Sequence, residues 1–109
     1  FADWTVLPVD ADETVRPASA TLHLSAPNPF NATTTIRFSL SQPMHAQLDV
    51  YNVAGQRVTT LVNTLLPVGF HEVKWNASNS HNRPVGSGVY IYRLTTPAGV
   101  AVSKTTLLR

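Results

Sequence analysis

The sequence predicts an all-β fold in which two β-sheets pack face to face. Three observations support this prediction. Short segments alternate apolar and polar residues with a period of two and are rich in β-branched and aromatic residues. Turn-forming residues separate these segments at intervals of about 8–15 residues. No longer stretch combines helical spacing of apolar residues with capping residues at its ends.

The first three predicted strands are "TLHLS" (21–25), "TTTIRFSL" (33–40) and "HAQLDVYN" (45–52). Each places apolar residues at alternate positions, which predicts one buried and one exposed face. Their predicted inner rows are Leu22 with Leu24, then Thr34, Ile36, Phe38 and Leu40, and then Ala46, Leu48 and Val50.

The other four predicted strands are "QRVTTLVN" (56–63), "FHEVKW" (70–75), "GVYIYRLT" (88–95) and "VAVSKTTLL" (100–108). The third of these is apolar on both faces, which is typical of a central strand. The predicted inner rows of the first two are Val58, Thr60 and Val62, and then His71, Val73 and Trp75.

Turn signals lie between the strands: "SQPM", "NVAGQR", "TLLPVG" and "TPAG". Gly55 in the second of them suits a positive φ. Seven short strands at this spacing predict a seven-stranded immunoglobulin-like Greek-key β-sandwich. Because cysteine is absent, we expect Trp75 and the tyrosines to fill the centre that a disulfide and a tryptophan fill in antibody domains.

Composition changes near Ala18. Residues 1–17 hold four acidic residues, one basic residue and two prolines, a net charge of −3, which predicts a linker or the tail of a preceding domain. Residues 18–109 hold seven basic and two acidic residues, a net charge of +5, and form the predicted folded domain. Since the sequence begins with Phe1, we expect a processed product or a piece of a longer chain.

Charge and hydropathy exclude two classes of partner. The basic residues are spread about one to a strand or loop, whereas nucleic-acid-binding proteins cluster them on one face. No apolar run approaches the roughly 20 residues of a membrane-spanning helix. We therefore expect no nucleic-acid partner and no membrane span.

The sequence shows no pattern typical of catalysis or of a metal site. His23, His45, His71 and His81 are scattered, and no pair has the spacing of metal ligands. No G-x-S-x-G motif occurs, and a sandwich of this size has little room for a catalytic cleft. We expect a protein that is not an enzyme and needs no cofactor, with His71 in the core or at its rim.

The loop "NASNSHNRPVGSG" (76–88) resembles a calcium-binding loop in its spacing of oxygen-bearing side chains. It contains no carboxylate, and calcium sites normally use several, so we interpret its Asn and Ser residues as turn formers and expect no metal. The sequons "NAT" (31–33) and "NAS" (76–78) are interpreted in the same way.

An aromatic set could form a sugar-stacking platform if it faced outward; it consists of Tyr51, Trp75, Tyr90 and Tyr92. The alternation of inner and outer side chains along their strands places Trp75 and Tyr90 inward. Aromatic residues in strands are also more often part of the core. We therefore expect these two rings in the core.

Four stretches, "APNPFNATTTIRFSL" (26–40), "LDVYNVAGQRVTTL" (48–61), "HEVKWNASNSHNRPVGSGVYIYRL" (71–94) and "KTTLLR" (104–109), carry a family resemblance. In this order they resemble the blocks of type A C-terminal sorting domains of the type IX (Por) secretion system, found in Bacteroidetes and related phyla. The resemblance covers about residues 20–109. The same pattern is similar to the immunoglobulin-like domain of flagellar hook-capping proteins.

The resemblance implies a non-catalytic C-terminal tag with which a folded passenger is exported through the periplasm and across the outer membrane. It implies three partners: an outer-membrane translocon, a sortase-like peptidase that joins the passenger to an anionic lipopolysaccharide, and an upstream catalytic or adhesive domain of the same parent chain. The passenger would reach the cell surface or be secreted, and residues 1–17 would be the linker that is cut.

Two other roles stay open from the sequence. One is an accessory module that attaches its parent enzyme to polysaccharide or to the cell surface. The other is assembly of a flagellar hook cap, which is disfavoured because the sequence ends at the Lys block.

Residue roles follow from the matched blocks. Asn28 and Asn31 can form Asx-turns, Pro29 fixes φ, Phe30 can plug one end of the sandwich, and Gly88 can adopt a positive φ. If the terminal strand lies at a sheet edge, its backbone could pair with a receptor strand, with cationic side chains as further contacts. The residues predicted for receptor recognition are Gly88, Tyr90, Lys104, Leu107, Leu108 and Arg109, and those of the structural motif are Asn28, Pro29, Phe30, Asn31, Gly55 and Trp75.

Overall fold

The computed structural model describes residues 18–109, which form seven β-strands. The predicted linker, residues 1–17, lies outside the described residues. All seven predicted strands are present. They are β1 (Ala20–Leu22), β2 (Thr34–Leu40), β3 (Met44–Asn52), β4 (Arg57–Leu66), β5 (Gly69–Trp75), β6 (Gly88–Thr96) and β7 (Gly99–Leu107).

The strands form two antiparallel sheets. One has the order β1-β2-β5 and the other the order β4-β3-β6-β7, so the chain changes sheets after β2, β4 and β5. The predicted all-β fold of two sheets and seven strands is confirmed. The Greek-key description stays a prediction. Residues 18–109 contain no helix that could cross a membrane.

Alternation along the strands builds the core between the two sheets. The predicted inner rows of β2 and β3 are buried, which confirms their parity. Trp75 at the end of β5 is only 1% exposed, and its ring contacts those of Tyr90 and Tyr92 edge-on at centroid distances of 5.1 and 6.2 Å. The expected tryptophan–tyrosine centre is therefore confirmed for Tyr90 and Tyr92, whereas Tyr51 is half-buried on the outer face of its sheet. Burial raises the pKa of the Tyr92 hydroxyl.

Two predicted inner positions are wrong. β1 ends at Leu22, so Leu24 lies beyond the strand and is 79% exposed. Thr60 is exposed because β4 carries an extra residue, Leu61, opposite the step from Leu48 to Asp49 of β3. A bulge of this kind reverses the faces of the residues that follow it, which period-two reasoning does not detect.

His71 lies at the rim of the core, as expected. It is half-buried, its ring stacks on Phe38 at 5.4 Å, and its Nε2 lies 2.8 Å from the carbonyl oxygen of Pro67. Gly55 has the expected positive φ, at 82°, in the turn between β3 and β4. The Asn52 side chain stabilises this turn by accepting hydrogen bonds from the N–H groups of Ala54 and Gln56.

A connection between β1 and β2, which we call the crossing segment (residues 23–31), contacts both sheets. Ala26 pairs with Thr35 of β2, and four residues later Phe30 forms a parallel bridge with Leu107 of β7. The crossing segment thus brings residues far apart in sequence to the end of the terminal strand.

Candidate functional site

β7 is an edge strand of the four-stranded sheet, as the sequence-based hypothesis required. It pairs with β6 in unbroken antiparallel register from Gly88↔Leu107 to Thr96↔Gly99. In such a ladder, every second residue directs its backbone N–H and C=O groups toward the neighbouring strand. The residues between them direct these groups away from it. The outward groups of β7 are therefore the ones available to anything beyond the sheet edge.

The crossing segment covers the C-terminal part of this edge. The Phe30 N–H donates to the Thr106 carbonyl oxygen at 3.0 Å, and the Leu108 N–H donates to the Phe30 carbonyl oxygen at 2.8 Å. The Thr106 N–H donates to Oδ1 of Asn28 at 3.0 Å. Asn28 thus holds the terminal strand across 78 residues of sequence, a different partner from the local Asx-turn predicted for it.

Phe30 plugs this end of the sandwich, as predicted. It is 3% exposed and lies against Trp75 with a centroid distance of 5.7 Å. Pro29 and Asn31 flank it and lie, exposed, near Leu108. Burial of the Phe30 ring fixes the position of the backbone that bonds to β7.

Arg109 is held by the loop between β5 and β6. Its N–H donates to the Ser87 hydroxyl at 2.8 Å, its Nε to the Val85 carbonyl oxygen at 2.6 Å, and a terminal guanidinium nitrogen to the Ala77 carbonyl oxygen at 3.0 Å. These bonds occupy donors that a receptor would otherwise use. We call residues 105–109 the anchored end.

The loop that holds Arg109 is ordered by its own hydrogen bonds. Oδ1 of Asn79 accepts from the N–H groups of His81 and Arg83, and the Trp75 indole N–H donates to the Ser78 carbonyl oxygen. The two bonds to Asn79 are the turn contacts expected of Asn, whereas Ser78 contributes its backbone carbonyl. Within the described part of the chain, no group of three or more His, Cys, Asp or Glu side chains could hold a metal ion.

Gly88 begins β6 with a φ of 154°, opposite Leu107 in the ladder. This value lies in the region that side chains with a Cβ rarely adopt, which confirms the predicted positive φ. Two residues later, Tyr90 donates its hydroxyl hydrogen to the Gly86 carbonyl oxygen at 2.6 Å. Gly88 and Tyr90 therefore connect the ordered loop to the central strand that supports β7.

In the rest of β7, no residue of 18–109 outside β6 makes a backbone hydrogen bond to the strand. β1 lies near its first residues, where Ala20 lines a small cavity with Val100. Because the outward groups at Thr106 bond to the crossing segment, alternation makes Val100, Val102 and Lys104 the other outward residues. Among residues 18–109 the crossing segment bonds to β7 only at its C-terminal end. We call residues 100–104 the free window. Its valine side chains are 55% and 62% exposed at positions 100 and 102.

The residues predicted for recognition are divided between these two parts of β7 and its neighbours. Lys104 and Leu108 present exposed side chains, Leu107 and Tyr90 are buried, Gly88 supports the strand, and Arg109 bonds to the loop. The sequence interpretation missed Val100 and Val102 as surface residues. Their alternation with Lys104 was visible, but only the pairing of β7 shows that they border an open edge.

The outer face of the four-stranded sheet is positively charged. Three basic residues lie on it: Lys104 of β7, Arg93 of β6 and Arg57 of β4. Their ladder partners are Ile91, Val102 and Tyr51, respectively. Asp49 lies on the same face but is buried, and it accepts hydrogen bonds from Thr60 and Gln47.

The outer face of the other sheet carries an exposed aromatic ring that the sequence analysis did not select. Phe70 of β5 is 84% exposed and lies 6.4 Å from the His23 ring. Beside it, Nε of Arg37 and a carboxylate oxygen of Glu72 are 2.7 Å apart. This face and the free window are two exposed surfaces of residues 18–109 whose side chains could serve an interaction.

Comparison with known proteins identifies similar domains. The model of the FlgD Ig-like domain matches residues 25–99. PorU from Porphyromonas gingivalis, solved as a dimeric latent form, is similar over 96% of this chain with 20% identity and a TM-score of 0.71. PorZ from the same organism, described as an essential bacterial surface component of the type-IX secretion system, is similar over 81% with 21% identity and a TM-score of 0.59.

These structural similarities show a shared fold. The chain spans only 10% of the PorU chain and 11% of the PorZ chain. No curated protein sequence matches it significantly.

Proposed function

The chain belongs to the FlgD Ig-like domain family. We propose that it acts as a non-catalytic sorting domain of a type IX secretion system. It directs a larger secreted protein across the outer membrane to the cell surface. The catalytic or adhesive activity belongs to another domain of the same parent chain, and this domain supplies only the sorting signal.

The observation that carries the proposal is the free window of β7. An edge strand with unpaired backbone groups can receive a strand from another protein, which is a common mode of peptide recognition. The anchored end and the crossing segment hold this strand in a fixed position. A receptor can therefore recognise a preformed edge and need not order a disordered tail, which lowers the entropic cost of binding.

The comparisons support the secretion context. PorZ is described as a surface component of the type-IX system, and this chain shares the fold of a part of PorZ that makes up 11% of its length. With the four sequence blocks, this supports an exported protein of a Bacteroidetes-type bacterium. Its partners would be the outer-membrane translocon and a sortase-like peptidase that cuts within residues 1–17.

The proposal is tested by fusing residues 1–109 behind a folded reporter in a bacterium with an active type IX system. We expect the reporter at the cell surface, measured by accessibility to an added protease in intact cells. The control is the same reporter without the fusion, which should stay in the periplasm. If the fused reporter also stays in the periplasm although the domain is folded, the sorting role is wrong.

A second candidate function is an accessory module that attaches its parent enzyme to polysaccharide, and exposed Phe70 is the observation that favours it. Aromatic rings at surfaces can stack on apolar faces of ligands, and the Arg37–Glu72 pair beside Phe70 could bond to hydroxyl groups. Of the aromatic set considered from the sequence, Trp75, Tyr90 and Tyr92 are buried and cannot form the platform.

Affinity electrophoresis separates the two functions. If the module binds polysaccharide, Phe70→Ala should abolish retention in a polysaccharide gel, whereas Val53→Ala, at an exposed turn residue, should not. Equal mobility of wild type and Phe70→Ala with and without polysaccharide would contradict the binding-module function.

A further inference from the structure

The sorting role does not by itself say which partner the free window accepts, but its geometry and charge limit the choice. We propose that the free window binds an extended antiparallel strand of a partner protein, with an acidic side chain opposite Lys104 and aliphatic side chains opposite Val102 and Val100. This inference rests on the proposed function and specifies its recognition chemistry.

Among the sheet edges of residues 18–109, the free window is the best suited to accept a strand. β1 has three residues, β4 carries bulges, and β5 presents the charged residues Glu72 and Lys74. Short, bulged and charged edges resist pairing with another chain. β7 has an unbroken register with β6 and only one charged side chain, that of Lys104.

The length of the window sets the length of the partner strand. The turn before Gly99 limits it at one end, and the bonds between Thr106 and the crossing segment limit it at the other. Between these limits, three residues direct N–H and C=O groups outward. A partner of about five paired residues would satisfy them, with antiparallel pairing favoured because its ladder is the more stable one.

Side chains of the partner that lie opposite the outward residues share the outer face of the sheet. Val100 and Val102 are more than half exposed there, and Ile91 lies beside Lys104 on β6. Aliphatic partner side chains would cover the two valines.

An acid that pairs with Lys104 has to come from outside residues 18–109. Residues 18–109 contain only two acidic residues, and both are engaged: Glu72 pairs with Arg37 on the other sheet, and Asp49 is buried with Thr60 and Gln47. No ion pair forms at Lys104 within the part of the chain that the structure describes. Charge complementarity therefore selects an acidic residue in the partner strand.

The test uses the 109-residue chain and a capped peptide, Ser-Glu-Thr-Val-Thr-Val-Ser, whose antiparallel register puts its Glu opposite Lys104. The readout is amide hydrogen exchange, residue by residue, by NMR. The N–H groups of Val102 and Lys104 should exchange rapidly in the free chain. Peptide at ten times its Kd should slow them about tenfold, while the amides that bond to β6 stay protected throughout.

Two pairs of controls make the result specific. Val102→Pro removes the central outward N–H without removing a bond to β6, so it should abolish peptide binding, while Val102→Thr keeps that N–H and should bind. A peptide with Lys in place of Glu should bind at least several-fold more weakly to wild type, and Lys104→Glu should reverse this preference.

Several outcomes would overturn the inference. Protection of Val102 and Lys104 in the free chain at all concentrations would mean that the chain's own segment covers the window. Protection that grows with protein concentration would mean that a second copy covers it. Equal binding of both peptides, or full binding by Val102→Pro, would also contradict it. Export of the fused reporter without peptide binding overturns only this inference, and peptide binding without export overturns only the sorting role.

Discussion

The two parts of β7 share one neighbour, β6, but differ in what lies on their other side. At the anchored end, Leu107 is fully buried and Thr106 bonds to Asn28 and Phe30 of the crossing segment. In the free window, Val100 and Val102 are exposed and nothing in residues 18–109 bonds to their outward backbone. One continuous strand therefore serves the fold at its end and leaves its beginning available to a partner.

A motif at the end of a sequence therefore need not act as a linear signal. "KTTLLR" contains Lys104 in the free window and residues 105–109 in the anchored end. Deleting all six would remove a core leucine together with the exposed lysine, so a loss of export would not distinguish misfolding from loss of the address. Single substitutions in the two parts can make that distinction.

The largest expected effect is at Leu107 in the anchored end. Leu107→Ala removes a fully buried side chain and should lower the free energy of unfolding by about 2–5 kcal/mol, because a cavity adds to the lost burial. Urea denaturation followed by tryptophan fluorescence measures it. Val102→Ala, in the free window, is the control and should cost less than about 1 kcal/mol. Equal costs at both positions would contradict the division of β7.

Gly88, which faces Leu107 across the ladder, should show the next largest effect. Gly88→Val places a β-branched residue at a φ of 154° and should cost more than about 1 kcal/mol. Gly86→Val is the matched control, since Gly86 lies in the same loop with open space around it and no such φ. An unchanged urea midpoint for Gly88→Val would show that this backbone conformation is not required.

Asn28 should have a smaller effect, because it contributes one hydrogen bond. Asn28→Ala leaves the Thr106 N–H without its side-chain acceptor and should cost about 0.5–1.5 kcal/mol. It should also speed exchange of the Thr106 amide. Asn31→Ala, at an exposed residue in the same segment, should do neither. Unchanged exchange at Thr106 in Asn28→Ala would show that this bond does not hold the anchored end.

Sequence reasoning predicted the strands and the core because both follow from local alternation. The inner rows of β2 and β3, the central Trp75 and the plug formed by Phe30 all depend on residue type and parity. The exposure of Thr60 could not be predicted, because a bulge in β4 has no distinct signature in "QRVTTLVN". Local pattern therefore specifies what faces inward wherever the register is unbroken.

The candidate site depends on long-range pairing, which the sequence does not show. Asn28 suggested a local turn, but its oxygen bonds to Thr106. Arg109 suggested a free cation, but its guanidinium bonds to carbonyl oxygens of the 76–88 loop. The edge position of β7 was the condition on which the hypothesis rested, and the sheet order confirms it.

The smallest expected effect on stability, with the largest expected effect on function, is at Lys104. Its side chain is exposed, so Lys104→Glu should change the free energy of unfolding by no more than about 0.5 kcal/mol. A receptor that places an acid opposite Lys104 would lose an attraction and gain a repulsion, so surface display of the fused reporter should fall while the Tm barely changes.

The control is Lys74→Glu, which makes the same charge change at an exposed lysine on the other sheet and should leave display intact. Because both variants reverse one charge on an edge strand, a difference between them reports the position of the cation rather than the net charge of the domain. Full display of Lys104→Glu would remove this lysine from the signal and leave recognition to the backbone and the two valines of the free window.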